Sequence, residues 1–430
     1  MSSATLGVGV IGCGTVGGGV VKLLQQEKDH LFRKTGIAVE LCKAADLDPE
    51  KRASTGLPPA LLTADANEIL NDPGIGVVVE VIGGTKAAST IIQSALKAKK
   101  HVVTANKELI AKQGAELFAL ARANNVTLHF EASACGGIPV IHALGVSLAA
   151  NRFEKLYGIV NGTTNFILTK MYREGADFAD VLAEAQRLGY AEADPTADVD
   201  GHDAAYKLAI LATLAFDSHF DYREIHTEGI RNISARDILV AKENGYVIKL
   251  LAIGVQHDDG SVELRVHPVM VPTRHPLAAV NDAFNAVFAR GNFVGDVMLY
   301  GRGAGELPTA SAIVGDILDL AMHHPNGGIS PRMNFGSLKK AVVPMGMIKT
   351  QFYLRLDVKD RPGVLAAIAK IFGDCGVSIR GVTQKEPTGD VVELIIFTHE
   401  VLESSFQKAV AEIGGLDVIA GIRSLIRIQQ

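Results

Sequence analysis

The 430-residue chain has no tryptophan, only four cysteines, and 42 Lys and Arg against 47 Asp and Glu. Cys13, Cys42, Cys135 and Cys375 form no C-x-x-C pair; so few thiols exclude a disulfide scaffold and point to a reducing, cytoplasmic compartment. A net charge of −5 supplies none of the basic surface that nucleic acid or an anionic membrane requires, so neither partner is expected. The uncharged stretch at residues 4–21 has no basic residue ahead of it, the first being Lys22. A signal peptide carries its basic residues before the apolar region, so export is not expected. The chain lacks a G-X-Y period, an internal repeat and any low-complexity tract. Its length fits about two to four globular domains.

What it has in excess is glycine, 44 residues, seven of them before residue 20 and five between 291 and 305. The first cluster sits in alternating apolar and helical segments. Short strands are predicted at 6–11, 37–45, 76–82, 101–104 and 126–130, with helices at 16–26, 90–98 and 107–124. Alternation of this kind argues for a doubly wound α/β domain with a parallel sheet, here residues 1–137. Residues 138–322 have a different, α+β texture, with helices at 178–188 and 202–216 and strands at 155–160 and 262–269. A stretch rich in Gly, Pro and polar residues, 323–349, reads as a linker. Residues 350–430 read as β-α-β-β-α-β, a ferredoxin-like unit expected to be self-contained.

Gly12-Cys13-Gly14-Thr15-Val16-Gly17 follows a strand and opens a helix, the setting that a dinucleotide-binding G-x-G-x-x-G requires. The first glycine permits a tight turn, the second lets the backbone approach a pyrophosphate, and the third lets helix and strand pack closely. The helix N-terminus offers unpaired N–H groups to the phosphates. Asp46, at the end of the second strand, is placed to bond a ribose hydroxyl, with Lys43, Lys51 and Arg52 nearby; NAD is modestly favoured over NADP.

A second dense region, GYAEADPTADVDGHDAAYKLAIL at 189–211, gathers Glu192, Asp194, Asp198, Asp200 and Asp203 ahead of an apolar helix that carries Lys207. Asp203 and Lys207 are four apart on one helix face and can pair, which favours the protonated lysine. The spacing is not that of a calcium-binding loop, and a solvated acidic turn is the alternative. NGTTNFI at 161–167 and TANKELIA at 104–111 add small polar residues and a lysine at element ends, which would suit a small zwitterionic substrate.

With GCGTVG (12–17), VIGGT (81–85), HVVTANK (101–107), EASACGGIP (131–139), NGTTNFI (161–167), the 189–211 segment and YGRGAGELPTASAI (300–313) in this order, the chain resembles the homoserine dehydrogenase family. The tail, with DRPGVL at 360–365 and GVSI at 376–379, resembles an ACT regulatory domain. The resemblance implies interconversion of aspartate 4-semialdehyde and homoserine by direct hydride transfer, in threonine, methionine and isoleucine biosynthesis. It assigns Lys207 as proton donor, Lys107 as a second site lysine, and Asp203 to orienting Lys207 and binding substrate. Glu192 and Asp198 would hold the substrate ammonium, with Thr163 and Thr164 also on substrate. Gly12, Gly14, Thr15, Val16, Gly17 and Asp46 would bind the nucleotide, and Thr85, Lys107, Gly189 and Gly303 would line its nicotinamide side. Glu131 and the carbonyls of Ala134, Gly136 and Ile138 would hold a monovalent cation, sodium being expected, in a structural role. Ala45 stands where the family often has a basic residue before the acid, a departure that supports NAD or dual use. The resemblance further implies a homodimer or homotetramer and an amino-acid effector at the ACT domain, usually threonine.

Two other readings keep part of this picture. Cys135, between small residues, could be the thiolate nucleophile of an acylating semialdehyde dehydrogenase, although no histidine lies in a recognisable partner motif. A nucleotide-binding amino-acid sensor without catalysis would have degraded catalytic positions, yet Lys107, Glu192, Asp198, Asp203 and Lys207 are all present.

Overall fold

A computed structural model of the protein describes residues 5–323, 335–336, 338–384 and 391–429. Part of the expected linker and the turn PTGD at 387–390 lie outside the described residues.

Six strands near the N-terminus, β1 (Thr5–Ile11), β2 (Ala38–Ala45), β3 (Leu62–Thr63), β4 (Val77–Glu80), β5 (His101–Thr104) and β6 (Leu128–His129), form one sheet in the order β3-β2-β1-β4-β5-β6. Every pair is parallel. This is the doubly wound arrangement, with its switch point between β1 and β4. Parallel strands are covered on both faces and so read as continuous apolar runs; Val8, Val10, Val77, Val78 and Val79 are wholly buried. The core continues through Val20, Val21 and Leu24 of the helix Thr15–Gln26 into Ile313, Ile317 and Leu320 of the helix Glu306–His323. Gly19 has a packing reason of its own. A Cβ there would sit 2.9 Å from the Glu306 side chain and 3.1 Å from Ala310, so the missing side chain is what lets these helices meet.

The chain forms two compact units that interleave along the sequence. The first comprises Met1–Val160, Asp203–Glu224 and Phe284–Lys340, and the second Asn161–His202, Ile225–Ala283 and Ala341–Gln430. Besides the parallel sheet, the first unit holds an antiparallel ladder in which Phe284–Gly291 pairs with both Gly295–Arg302 and Phe153–Ile159. It also holds nearly all of the helix His202–Ala215.

In the second unit the tail forms the expected β-α-β-β-α-β order, with helices Val364–Asp374 and Glu403–Gly414. The helices cover one sheet face around Phe352, Leu354, Ile368, Phe372, Phe406 and Ile413. The tail also pairs beyond its own strands, which the sequence did not suggest. Its last strand, Ile419–Ile428, pairs antiparallel with Lys349–Lys359 and also parallel with Val262–Pro272, where Val269 faces Arg427 and Met270 faces Ile428. Val262–Pro272 in turn pairs with Tyr246–Gln256. Pairing between segments so far apart in sequence leaves no local signature, which is why it was not legible.

A polar knot ties the tail's first strand to the rest of the unit. Asp237, wholly buried, completes a capping box with Ser234 at the start of the helix Ala235–Glu243. It also accepts hydrogen bonds from Arg355 Nε at 2.9 Å and the Tyr353 hydroxyl at 3.0 Å. Removing one partner of a buried pair strands the other charge, so Asp237→Ala is expected to cost about 3–5 kcal/mol. Urea unfolding measures it: the midpoint should fall with little change in slope.

Candidate active site

The glycine loop performs the three tasks expected of it. Gly12 has φ +106° and a Cβ there would meet Val81 at 2.7 Å; a Cβ on Gly17 would lie 1.8 Å from the Gly12 carbonyl oxygen. At Gly14 a Cβ would meet nothing within 4 Å, so the space above it is open. No side chain caps the helix that begins at Thr15, leaving its first N–H groups for an anion. Gly12, Gly14, Asp46, Leu47, Lys51 and Ile82 line a cavity of about 440 Å³ at this crevice. These residues fit a dinucleotide. Asp46 accepts from the Cys13 amide at 2.7 Å and from the Asp48 amide at 3.0 Å, which fixes its carboxylate at the cavity rim. Of the neighbouring cations, Lys43 pairs with Glu68 at 2.6 Å and Arg52 donates to the Asp46 and Leu47 carbonyls.

Across the switch point, Gly83 and Gly84 are left-handed with open space where side chains would be, and Thr85 opens the helix Lys86–Lys97. A ring of hydrogen bonds joins this loop to the start of the helix Lys107–Ala123. Buried Glu80 accepts from the Ile82 amide at 3.0 Å and the Thr104 hydroxyl at 2.7 Å. Thr104 accepts from the Asn106 amide, and Asn106 donates to the Gly84 carbonyl at 2.6 Å while capping the helix through the Leu109 amide. Burial raises the Glu80 carboxyl above the usual range, against those hydrogen bonds. Lys107, the first residue of that helix, is thereby set in place.

Asp203 brings two lysines together. Its Oδ2 accepts from Lys207 Nζ at 2.6 Å, and its Oδ1 lies 3.0 Å from Lys107 Nζ. Asp203 and Lys207 are buried, whereas the Lys107 side chain is 44% exposed. Lys207 also donates to the Val160 carbonyl at 2.7 Å. An ammonium has three donors; these two acceptors leave Lys207 a third N–H without a partner among the described residues.

In the second unit the remaining acids separate by role. Asp194 caps a turn through the Thr196 amide, and Asp200 pairs with Arg231 at 2.5 Å. Asp198 accepts from Asn161 Nδ2 at 2.7 Å, and the exposed Glu192 has no side-chain partner among the described residues. Asn161 caps the helix Gly162–Glu174 through the Thr164 amide. The Thr164 hydroxyl, buried, donates back to Asn161, and the Thr163 hydroxyl donates to the Tyr190 carbonyl at 2.7 Å. Gly189 is left-handed with open space around it.

Residues 131–138 are buried apart from Gly137. Both Glu131 oxygens accept main-chain amides, from Ile141 and His142, at 2.7 Å. Burial first, then the charge of Asp316, pushes the Glu131 carboxyl up to about 7. Among the described residues, no main-chain amide donates to the carbonyls of Ala134 or Gly136, and no cluster of three His, Cys, Asp or Glu side chains could hold a metal ion. Neutral carbonyls with one carboxylate fit a hard monovalent cation. Gly303 owes its missing side chain to packing, since a Cβ there would lie 2.0 Å from Asn285 Nδ2. Asn285 is buried beside it, and its Oδ1 has no hydrogen-bond partner among the described residues.

Sequence reasoning missed Glu80, Asn106, Asn161 and Asn285. Glu80 left a trace as a charge inside the apolar run GVVVEVI, and Asn106 and Asn161 lay inside TANKELIA and NGTTNFI without being assigned a role.

Together, the sheet order, the open glycine cradle and the lysine-carboxylate trio define a nicotinamide-dependent oxidoreductase. The family described as homoserine dehydrogenase, NAD binding domain, matches residues 12–131; homoserine dehydrogenase matches 139–318; and the ACT domain matches 352–417. Homoserine dehydrogenase from Corynebacterium glutamicum is 44% identical, covering 99% of this chain and 96% of its own, and that from Bacillus subtilis is 41% identical, covering 98% of each. The crystal structure of a homoserine dehydrogenase from Thiobacillus denitrificans superposes with a TM-score of 0.93 at 42% identity, covering 100% of this chain and 99% of the other. The chain belongs to the homoserine dehydrogenase family.

The thiol route loses its chemical basis here. Cys135 is wholly buried, and burial pushes its thiol up to about 11 despite the nearby Lys207 charge. Since the thiolate is the nucleophile, Cys135→Ser is expected to keep kcat within about threefold of wild type, as a packing residue would. Steady-state kinetics check it, with a circular-dichroism spectrum to confirm folding.

Proposed function

We propose that the chain reduces L-aspartate 4-semialdehyde to L-homoserine with Lys207 as the proton donor. The observation that carries this reading is the buried Lys207 ammonium, held by Asp203 and the Val160 carbonyl with one N–H to spare. A bound dihydronicotinamide supplies a hydride to the carbonyl carbon. Negative charge then grows on the aldehyde oxygen, which the Lys207 ammonium stabilises and protonates. Asp203 keeps that ammonium aimed, and Lys107, on its other oxygen, adds a second positive charge. Glu192 and Asp198 are the carboxylates for the substrate ammonium, and Thr163 and Thr164 brace the helix start beside them. Gly12, Gly14, Thr15, Val16, Gly17 and Asp46 would hold the nucleotide, with Thr85, Lys107, Gly189 and Gly303 toward the nicotinamide.

NAD is favoured modestly. A carboxylate at the end of β2 would repel a ribose 2′-phosphate, and of the three nearby cations only Lys51 lines the cavity. A hyperthermophilic archaeal homoserine dehydrogenase was solved in complex with NADPH, at 28% identity and a TM-score of 0.63 over 75% of this chain, so both cofactors belong in the assay. Sodium, held by Glu131 and the carbonyls of Ala134, Gly136 and Ile138, would tie the segment structurally. The further reading is a homodimer or homotetramer in threonine, methionine and isoleucine biosynthesis, inhibited by threonine at the ACT domain. A cytoplasmic location belongs to the same reading. All four cysteines are free, and among the described residues no helix is long and apolar enough to cross a membrane.

Lys207→Ala is expected to bind NADH or NADPH normally by fluorescence titration while kcat falls by about 10²–10⁴-fold. A raised KM with unchanged kcat would make Lys207 a binding residue only. Consumption of NADH and NADPH with aspartate semialdehyde, with and without threonine, tests activity, cofactor preference and regulation together. Replacing choline by sodium at constant ionic strength should raise the melting temperature of the wild type and leave that of Glu131→Gln unchanged.

A further inference from the structure

The last strand of the chain meets the 226–231 segment through a buried cation. Arg427, 3% exposed, donates from Nη1 and Nη2 to the two Glu228 oxygens, both at 2.9 Å. Through Nε and Nη2 it also donates to Glu403, at 2.8 and 2.6 Å. Glu403 is the first residue of the second ACT helix, Glu403–Gly414, so a single guanidinium joins the tail to the 226–231 segment. Burial alone would raise the Glu228 carboxyl, but hydrogen bonds from His226 and Arg427 hold it well below the usual range.

The segment beyond Glu228 has no slack against the helix Thr196–Val199, which carries Asp198. A Cβ on Gly229 would lie 2.1 Å from the Val199 oxygen and 2.5 Å from Asp200 Cα. The Ile230 amide donates to the Val199 carbonyl at 2.8 Å, and Arg231 pairs with Asp200. Gly201 is left-handed, and a Cβ there would touch Thr227 at 3.1 Å and the Glu228 carbonyl at 3.3 Å. Contacts this close pass a displacement on rather than absorb it.

We propose that Arg427 is a positioning residue for Asp198, acting through Glu228 and Gly229, and that this path carries the influence of an ACT-bound amino acid to the substrate. The proposal rests on Asp198 binding the substrate ammonium. A path through packed contacts is established only by a measured coupling, and three variants of the full-length enzyme measure it. Glu228→Gln keeps the shape of a side chain that is 39% exposed and weakens its hold on Arg427, together with its contact to His226. It is expected to raise KM for homoserine about 5–20-fold, a typical coupling, with KM for the nicotinamide cofactor and kcat within twofold. Gly229→Ala, which wedges the same contact, should do likewise, and Arg427→Lys should lie between Glu228→Gln and wild type. With threonine as the probe, the inhibition seen in wild type should shrink in Glu228→Gln.

Asp198→Asn, assayed in parallel, reads the underlying assignment: an unchanged homoserine KM there overturns the role of Asp198 and this proposal with it. A raised KM in Asp198→Asn beside wild-type constants and undiminished threonine inhibition in Glu228→Gln and Gly229→Ala overturns the role of Arg427 alone. If wild type ignores threonine, the KM comparison still decides the positioning role, and the regulatory half fails.

Discussion

A carboxylate shared by two ammonium groups is the constraint on which the geometry around the helix His202–Ala215 depends. Burying Asp203 alone would be prohibitive; with Lys207 on one oxygen and Lys107 near the other, it is compensated. The rest of the local structure answers to that arrangement. The helix His202–Ala215 is buried along most of its length, Leu208, Ile210 and Leu211 among its core residues. Its first turn is the place where a negative charge is tolerated, beside unpaired N–H groups. Lys207 lies one turn further on, and the Val160 carbonyl takes a second of its hydrogens. Lys107 must arrive from another helix, and the Asn106 cap, itself hung from Glu80 through Thr104, sets where that helix begins. A site lysine thus depends on a buried acid at the end of a neighbouring strand.

How much of this could be read from the sequence follows from the range of each interaction. Gly12, Gly14 and Gly17 were legible because turn, open approach and helix packing are local demands of the backbone, and each appears in the stereochemistry at that position. The pairing of Asp203 with Lys207 was legible from their spacing on one helix. Lys107 stood out only as a lysine at an element end in TANKELIA; its contact with Asp203 was not legible, since it joins distant elements. The five acids of the 189–211 segment looked alike in sequence, and tertiary partners alone separate Asp200, committed to Arg231, from Asp198, held by Asn161. The glycines after residue 290 show the opposite limit. At Gly303, Asn285 occupies the space a side chain would need, a packing demand between distant elements that leaves no mark in the sequence.

The tail was read correctly as an order of elements and incompletely as a body. Alternation and the apolar faces of Val364–Asp374 and Glu403–Gly414 marked its own core. What escaped was the outward side of Ile419–Ile428, where the partner strand lies far earlier in the chain. Asp237 and Arg427 have the same character, being buried charges whose partners come from separate segments.

That shared strand bears on how such a protein is made and altered. Val262–Pro272 is buried along nearly its whole length, and the residues that pair with it at Val269 and Met270 lie far later in the chain. Until they arrive, an apolar strand edge stands open, the kind of surface that recruits other chains. Cutting away the tail would make that exposure permanent. The role of the tail is therefore better probed by single substitutions that keep Ile419–Ile428 in place.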